Sequence, residues 1–256
     1  MATETKPKRL YDRARFYDIA GDRWPSVTTI LDVIDKPGLM YWAANEERKA
    51  FETAMLTVLS GPHADQPDKV LDAVIAATKG AKAMEKEKTK AATIGTAAHA
   101  YIEWESKRLL GEKVGDEPVI PDAAKWAVES WKDWAKDVEF TPIASEQTVF
   151  CPGCGFAGTF DTIAKVRRVV TLLDYKTSKA IYPEAFLQNI AYRHASAIET
   201  QQGMILRLPK VVEDPAFEAM VVPAVPLPVF LSALNLWKWK RSMEGLPVGS
   251  RPTGTH

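Results

Sequence analysis

Residues 172–178 read Leu172-Leu173-Asp174-Tyr175-Lys176-Thr177-Ser178, an apolar run that ends in an acid, an aromatic and a base. Successive side chains alternate along a strand, so Asp174 and Lys176 point to one face and Tyr175 to the other. A carboxylate and an ammonium at the end of an apolar strand are costly to bury without partners. The segment marks either a solvated strand end with a weak ion pair or the edge of a chemical site. Thirteen residues earlier, Asp161 stands in Gly158-Thr159-Phe160-Asp161, at the middle of another β-prone stretch. An antiparallel hairpin of this length brings Asp161 opposite Asp174, and facing carboxylates repel unless a cation lies between them. Both acids sit in otherwise apolar strands, which favours a metal site over a hairpin with exposed acids. Hard divalent cations such as Mg²⁺ take oxygen ligands and keep several waters, as such a pair allows. Removing Asp174 is then expected to relieve repulsion and leave the fold intact.

Outward from this hairpin, SEQTVF at 145–150, FAGTFDTIAKV at 156–166 and VVTLLDYKTS at 169–178 are β-branched or alternating and predict three consecutive strands. A helix is expected from about Pro183 to Thr200, then strands in GMILRLP and FEAMVVP. The last helix, Leu227 to Met243, sets Leu227, Phe230, Leu231, Leu234 and Trp237 on one face. Towards the N-terminus, helices are predicted at about 122–137 and 92–110, with a mostly helical pattern over 39–90 broken at Gly61-Pro62. Earlier still, two β-prone pieces surround an Ala-Gly-Asp turn, and Ser26 looks like a cap before Val27, Ile30, Leu31 and Ile34. The expected fold class is α/β, a central mixed β-sheet flanked by helices with a helical N-terminal elaboration. It is expected as a single domain over residues 10–245, helical over about 39–137 and with its sheet core over about 141–243. Residues 1–9 and 246–256 are expected to be loose.

The chain has 256 residues, 46% apolar and 26% charged, which excludes wholesale disorder, a collagen-like repeat and a coiled-coil rod. Its 33 basic and 33 acidic residues balance, so no net field draws it to nucleic acid or membrane, although local patches remain open. The opening MATETKPKRL lacks the apolar core of a signal peptide. No run reaches the ~20 apolar residues of a membrane helix. The two cysteines make no disulfide framework, and a reducing cytoplasm is the expected compartment.

Asp161, then Asp174-Tyr175-Lys176, then Gln188-Asn189-Ile190-Ala191-Tyr192, with Gly95-Thr96-Ala97-Ala98-His99 upstream, together resemble the RecB-type branch of the PD-(D/E)XK nuclease superfamily. Pro25-Ser26-Val27-Thr28-Thr29-Ile30-Leu31 is similar to the opening of mitochondrial genome-maintenance exonucleases and related phage proteins. The resemblance covers residues 25–192 and implies a restriction-endonuclease-like core. It implies that His99, Asp161, Asp174 and the Tyr175 carbonyl hold one or two Mg²⁺ or Mn²⁺ ions, with Asp161, Asp174 and Lys176 catalytic. Lys176 would orient a water or meet developing charge. Gln188 and Tyr192, at i and i+4 of one helix, would position Lys176 or the DNA backbone. Glu146 matches an acid near the family's active site, or is a structural strand end. Glu103 shares the His99 face and would orient its ring, or is a surface residue. Ser26 belongs to the supporting or DNA-positioning set. The activity implied is a metal-dependent DNA exonuclease acting at DNA ends or in single strands. Its setting would be phage or mobile-element recombination, replication or repair, with partner proteins of those processes. The alternatives are a structure-selective endonuclease and a non-catalytic DNA-binding module of the same fold.

Other features have plainer readings beside the functional ones. A histidine on an Ala-rich helix is commonly a packing residue, and this stays open for His99. Cys151-Pro152-Gly153-Cys154-Gly155 resembles one zinc knuckle, but structural zinc needs four ligands and the chain has no second pair of cysteines. Structural zinc is therefore not expected, nor is an iron–sulfur cluster. A tight hairpin tip is the preferred reading, and His63, His194 or a second subunit would have to complete any site. Val128, Trp131 and Ala135 form a core-like stripe, while Trp126, Trp131 and Trp134 are an alternative base-stacking platform. The lysine run at 79–90, Arg167-Arg168 beside the proposed site, and Lys238, Lys240 and Arg241 are basic patches, by default solvated faces and alternatively tracks for phosphates.

Overall fold

A computed structural model describes residues 14–34, 37–61, 67–78, 83–210, 214 and 216–250. Residues 1–9, His63, Lys79 and Lys82, on which expectations fell, lie outside them. The chain divides into two compact units, one formed by the residues up to Ile34 and from Ile94 onward, the other by Asp35–Thr93. Within the second, α2 (Pro37–Leu59) and α3 (Pro67–Thr78) pack on each other, with Val74 buried.

The larger unit opens with the hairpin β1 (Phe16–Ile19) and β2 (Asp22–Pro25). Its turn places Ala20 and Gly21 at positive φ, the backbone a tight two-residue hairpin demands. The short helix α1 (Val27–Leu31) follows, capped by Ser26, whose Oγ accepts from the Thr29 amide at 3.1 Å. Helices α4 (Ala83–Leu109) and α5 (Asp122–Asp137) precede β3 (Thr141–Cys151), β4 (Phe156–Val166) and β5 (Val169–Lys176). Then come α6 (Pro183–Ala195), β6 (Gln202–Arg207), β7 (Glu218–Val221) and α7 (Leu227–Met243). The five-stranded sheet has the order β3-β4-β5-β6-β7, parallel only between β5 and β6, where α6 makes the crossover.

Alternation sorts the sheet's two faces. Leu172 joins a core with Val27 and Ile30 of α1, Tyr192 of α6 and Phe230 of α7. Leu173 and Tyr175 join another with Ala98 and Ile102 of α4 and Trp131 of α5. Helices thus cover both faces, which is the expected α/β class with a mixed sheet. Helix α6 stops at Ala195 rather than Thr200, because the Ser196 backbone turns extended and the Arg193 guanidinium binds Thr200 Oγ1 and carbonyl, each at 3.0 Å. Two glycines let α6 settle on the sheet: a Cβ at Gly158 would collide with the Tyr192 ring, and one at Gly203 with the Asn189 amide. Residues 246–250, expected to be loose, are tied to β2 as far as Ser250, whose hydroxyl accepts from the Arg23 amide at 2.8 Å.

Among the described residues no helix is long and apolar enough to cross a membrane.

Candidate metal centre

Asp161 lies at the middle of the central hairpin strand, and its neighbours on both sides are acids. The β3–β4 register pairs Ser145 with Thr162 and Gln147 with Phe160, so Glu146 lies opposite Asp161. The β4–β5 ladder ends at Thr162 and Leu173, so the next position sets Asp161 against Asp174, as the sequence predicts. Glu146 adopts φ 49°, a left-handed backbone unusual for a non-glycine residue within a strand. Such local strain re-aims a side chain and gathers at functional sites.

Helix α4 brings His99 over this row. A Cβ on Gly95 would stand 2.8 Å from Thr177 Oγ1, so the glycine permits the close approach of α4 to the end of β5. Ala98 is fully buried beneath it. His99 Nε2 lies 3.0 Å from the Tyr175 carbonyl oxygen. A carbonyl only accepts, so Nε2 is the donor in this contact, which in a neutral ring puts the lone pair on Nδ1. Nδ1 lies 3.8 Å from Asp161 Oδ1. Donor atoms of His99, Glu146 and Asp161 all fall within 4.8 Å of one another.

The electrostatics mark a crowded anionic site. Burial, with the charges of Asp161 and Glu103, pushes the Glu146 carboxyl up to about 7. Burial and Asp161 likewise carry Asp174 up to about 6, against the pull of Lys176. Asp174 Oδ2 lies 2.6 Å from Lys176 Nζ, and neither carboxylate oxygen accepts a well-formed hydrogen bond. Burial works against the Lys176 ammonium, but Asp174 and Asp161 outweigh it and raise its pKa. Lys176 Nζ also donates to Gln188 Oε1 at 3.0 Å, and Gln188 Nε2 donates to the Tyr192 hydroxyl at 3.3 Å. Asp174, Lys176, Gln188 and Tyr192 therefore form one continuous polar chain from strand to helix.

Several sequence expectations change in this setting. The Tyr175 carbonyl is engaged by His99, while the Tyr175 amide donates to Asp161 Oδ2 at 2.7 Å, so this residue holds two ligand candidates in place. Glu103 reaches Lys107 at 2.6 Å, and the Tyr175 carbonyl takes the role expected of Glu103 towards the His99 ring. Glu146, expected beside the site, is one of its three convergent donors, whereas Asp174 has Lys176 as counter-ion. Ser26 is used as the α1 cap and bridges to Ala157 of β4. Arg167 and Arg168 occupy the β4–β5 turn, six residues along the strand from Asp161 and so about 20 Å away, not beside the site. Arg241 is buried against the Trp237 ring and donates to the Pro247 carbonyl, which makes it a packing residue. Trp131 is buried in the core, as its stripe predicts. The sequence missed Thr177, the contact that requires Gly95, and Asn189, whose amide donates to the Leu172 carbonyl at 3.1 Å.

The donor set suits a divalent cation. One imidazole nitrogen and two carboxylates each offer a ligand atom, and both carboxylate oxygens of Asp174 are buried acceptors with no hydrogen-bond donor. Compared with protein-family models and with curated proteins, the chain matches none of either.

Proposed function

We propose that the protein is a metal-dependent deoxyribonuclease with a restriction-endonuclease-like core, acting as an exonuclease on DNA ends or single strands. The observation that carries this reading is the convergence of His99, Glu146 and Asp161 beside a strand end where Lys176 is held between Asp174 and Gln188. His99, Glu146 and Asp161 would hold Mg²⁺ or Mn²⁺, with Asp174 as the further oxygen donor. A divalent ion there supplies positive charge to a phosphodiester and acidity to a water. Tyr175 keeps the ligands oriented through its amide and carbonyl. Lys176, kept as an ammonium by the acids around it, orients the attacking water or meets charge developing on the phosphate. Gln188, braced by Tyr192, fixes where that ammonium sits. Hydrolysis breaks the bond to the 3′ oxygen, which leaves in line with the attacking water. The phage or mobile-element setting, with recombination or replication partners, follows from the resemblance of the motifs.

The test is purified protein on end-labelled linear DNA and on circular DNA, single- and double-stranded, with Mg²⁺, Mn²⁺ or EDTA. Metal-dependent loss of linear DNA with circles spared is the expected result. Cleavage of circles would make the enzyme an endonuclease. Binding without cleavage under any metal would make it a DNA-binding module.

A further inference from the structure

The far end of the β3–β4 hairpin carries a second donor cluster of different chemistry. Cys151 closes β3, Cys154 and Gly155 complete the turn, and the amides of Cys154 and Gly155 donate to the Cys151 carbonyl at 3.1 and 2.7 Å. Gly155 stands at φ 85°, which lets the chain reverse within this short span. The two cysteines are joined to one another, a bridge that closes a very short loop and so constrains the unfolded chain little. The third member is His194, one of the residues the sequence left to complete a site. It lies forty residues away in sequence, in the last turn of α6, yet its Nε2 is 3.5 Å from Cys154 Sγ. The two sulfurs and an imidazole nitrogen all fall within 4.8 Å of one another.

We infer that in its dithiol form the protein binds one Zn²⁺ ion through Cys151, Cys154 and His194. Sequence reasoning set zinc aside because a lone Cys-x-x-Cys pair supplies two ligands. Folding supplies the third, and the exposed position of His194 leaves the fourth coordination position open to water. Two thiolates and a neutral imidazole balance the charge of Zn²⁺. Thiolate sulfur also separates this site by softness from the His99 and carboxylate cluster, which suits harder ions. Reduction of the Cys151–Cys154 bridge by a phosphine or dithiol delivers two electrons and two protons, giving two thiols. Zinc then displaces both protons, so the bridge and the ion exclude each other. The ion would join the β3–β4 hairpin to α6, the helix that carries Gln188 and Tyr192. It would reinforce at the hairpin tip the contact that Tyr192 already makes at Gly158.

The test uses the full chain, reduced with a phosphine, stripped by chelation and titrated with Zn²⁺ and with Co²⁺. The expected result is about one Zn²⁺ per chain, and a Co²⁺ form with thiolate-to-metal charge transfer and tetrahedral ligand-field bands. His194→Ala should weaken Zn²⁺ binding at least about tenfold, since losing a ligand costs no less than losing a residue that orients one. Cys151→Ser/Cys154→Ser should abolish the charge-transfer band, while Asp161→Asn, at the other cluster, should leave it in place. Absence of that band in the reduced chain, its loss in Asp161→Asn, or unchanged Zn²⁺ affinity in folded His194→Ala would each overturn the assignment. None of these readouts involves DNA cleavage, so the proposed nuclease activity stands or falls separately.

Discussion

One β-hairpin carries two donor clusters of opposite character. Beside β5, Glu146 and Asp161 meet the His99 nitrogen, a hard oxygen-rich set crowded by a third acid, Asp174. At the tip, Cys151 and Cys154 meet His194, a soft sulfur-rich set with no acid among its donors. Helix α6 touches the surroundings of both, through Gln188 at one and His194 at the other. The difference teaches that donor chemistry, not proximity alone, assigns a role. In the proposed nuclease the first cluster would hold an ion against a substrate, with Lys176 as the acting group beside it. The second has no such acting group and joins one element to another.

The largest expected effect separates the clusters by activity. Asp161→Asn should lower metal-dependent cleavage by roughly a hundred- to a thousandfold, because it replaces a carboxylate ligand by a neutral amide whose single oxygen must serve both the ion and the Tyr175 amide. Cys151→Ser/Cys154→Ser should stay within about twofold under the same reducing conditions, as no reacting group is touched. Equal losses in single-turnover assays of the two proteins would erase the distinction drawn between the regions.

Next in size is Lys176→Met, expected to cost about a hundredfold in kcat with DNA affinity little changed, as for a contact made in the transition state. Asp174 would be left buried without its counter-ion, so this variant should also change the pH dependence of stability. A raised Kd with normal turnover at saturating DNA would make Lys176 a simple phosphate contact.

Gly158→Ala should disturb both regions at once. Its new Cβ meets the Tyr192 ring, and displacing a packed aromatic costs about 1–3 kcal/mol. Thermal melts should show this loss, and both proposed metal sites should bind more weakly. A variant of normal stability would mean that α6 is not fixed at this point.

The smallest effect is electrostatic. Burial raises the Glu146 carboxyl to about 7, so the folded chain retains a proton that the unfolded chain releases in the ordinary carboxylate range. Stability of the metal-free protein should therefore fall as pH rises from that range towards 7, with Asp174 contributing up to about 6. Glu146→Gln should flatten the decline by a few degrees in Tm, and Mn²⁺ should oppose it by favouring the carboxylate. An identical Tm profile for wild-type protein and Glu146→Gln would remove Glu146 from the crowded site.

Much of the sheet was legible because strand alternation and turn chemistry are local. The five strands of the sheet, the crossover helix and α7 follow from β-branched runs, glycine-marked turns and an apolar helical stripe. The interval between Asp161 and Asp174 likewise predicts their opposition, since hairpin register depends on chain length between the two positions. The division into two units was not legible: composition does not change at Ile34 or Thr93, and α4 continues across the second boundary.

By itself the sequence determined which donors exist, which share a strand face, and that Gln188 and Tyr192 lie on one side of a helix. Those relations are periodic or depend on short spacing, and backbone geometry enforces them. Only the tertiary structure decided that Glu146 joins His99 and Asp161, that the Tyr175 carbonyl meets the His99 ring, and that His194 reaches the cysteine turn. These meetings join residues up to 76 positions apart, as between His99 and Tyr175. They depend on how helices settle on the sheet, which is governed by close approach at Gly95, Gly158 and Gly203 and by burial on both faces, and no local pattern encodes that sum.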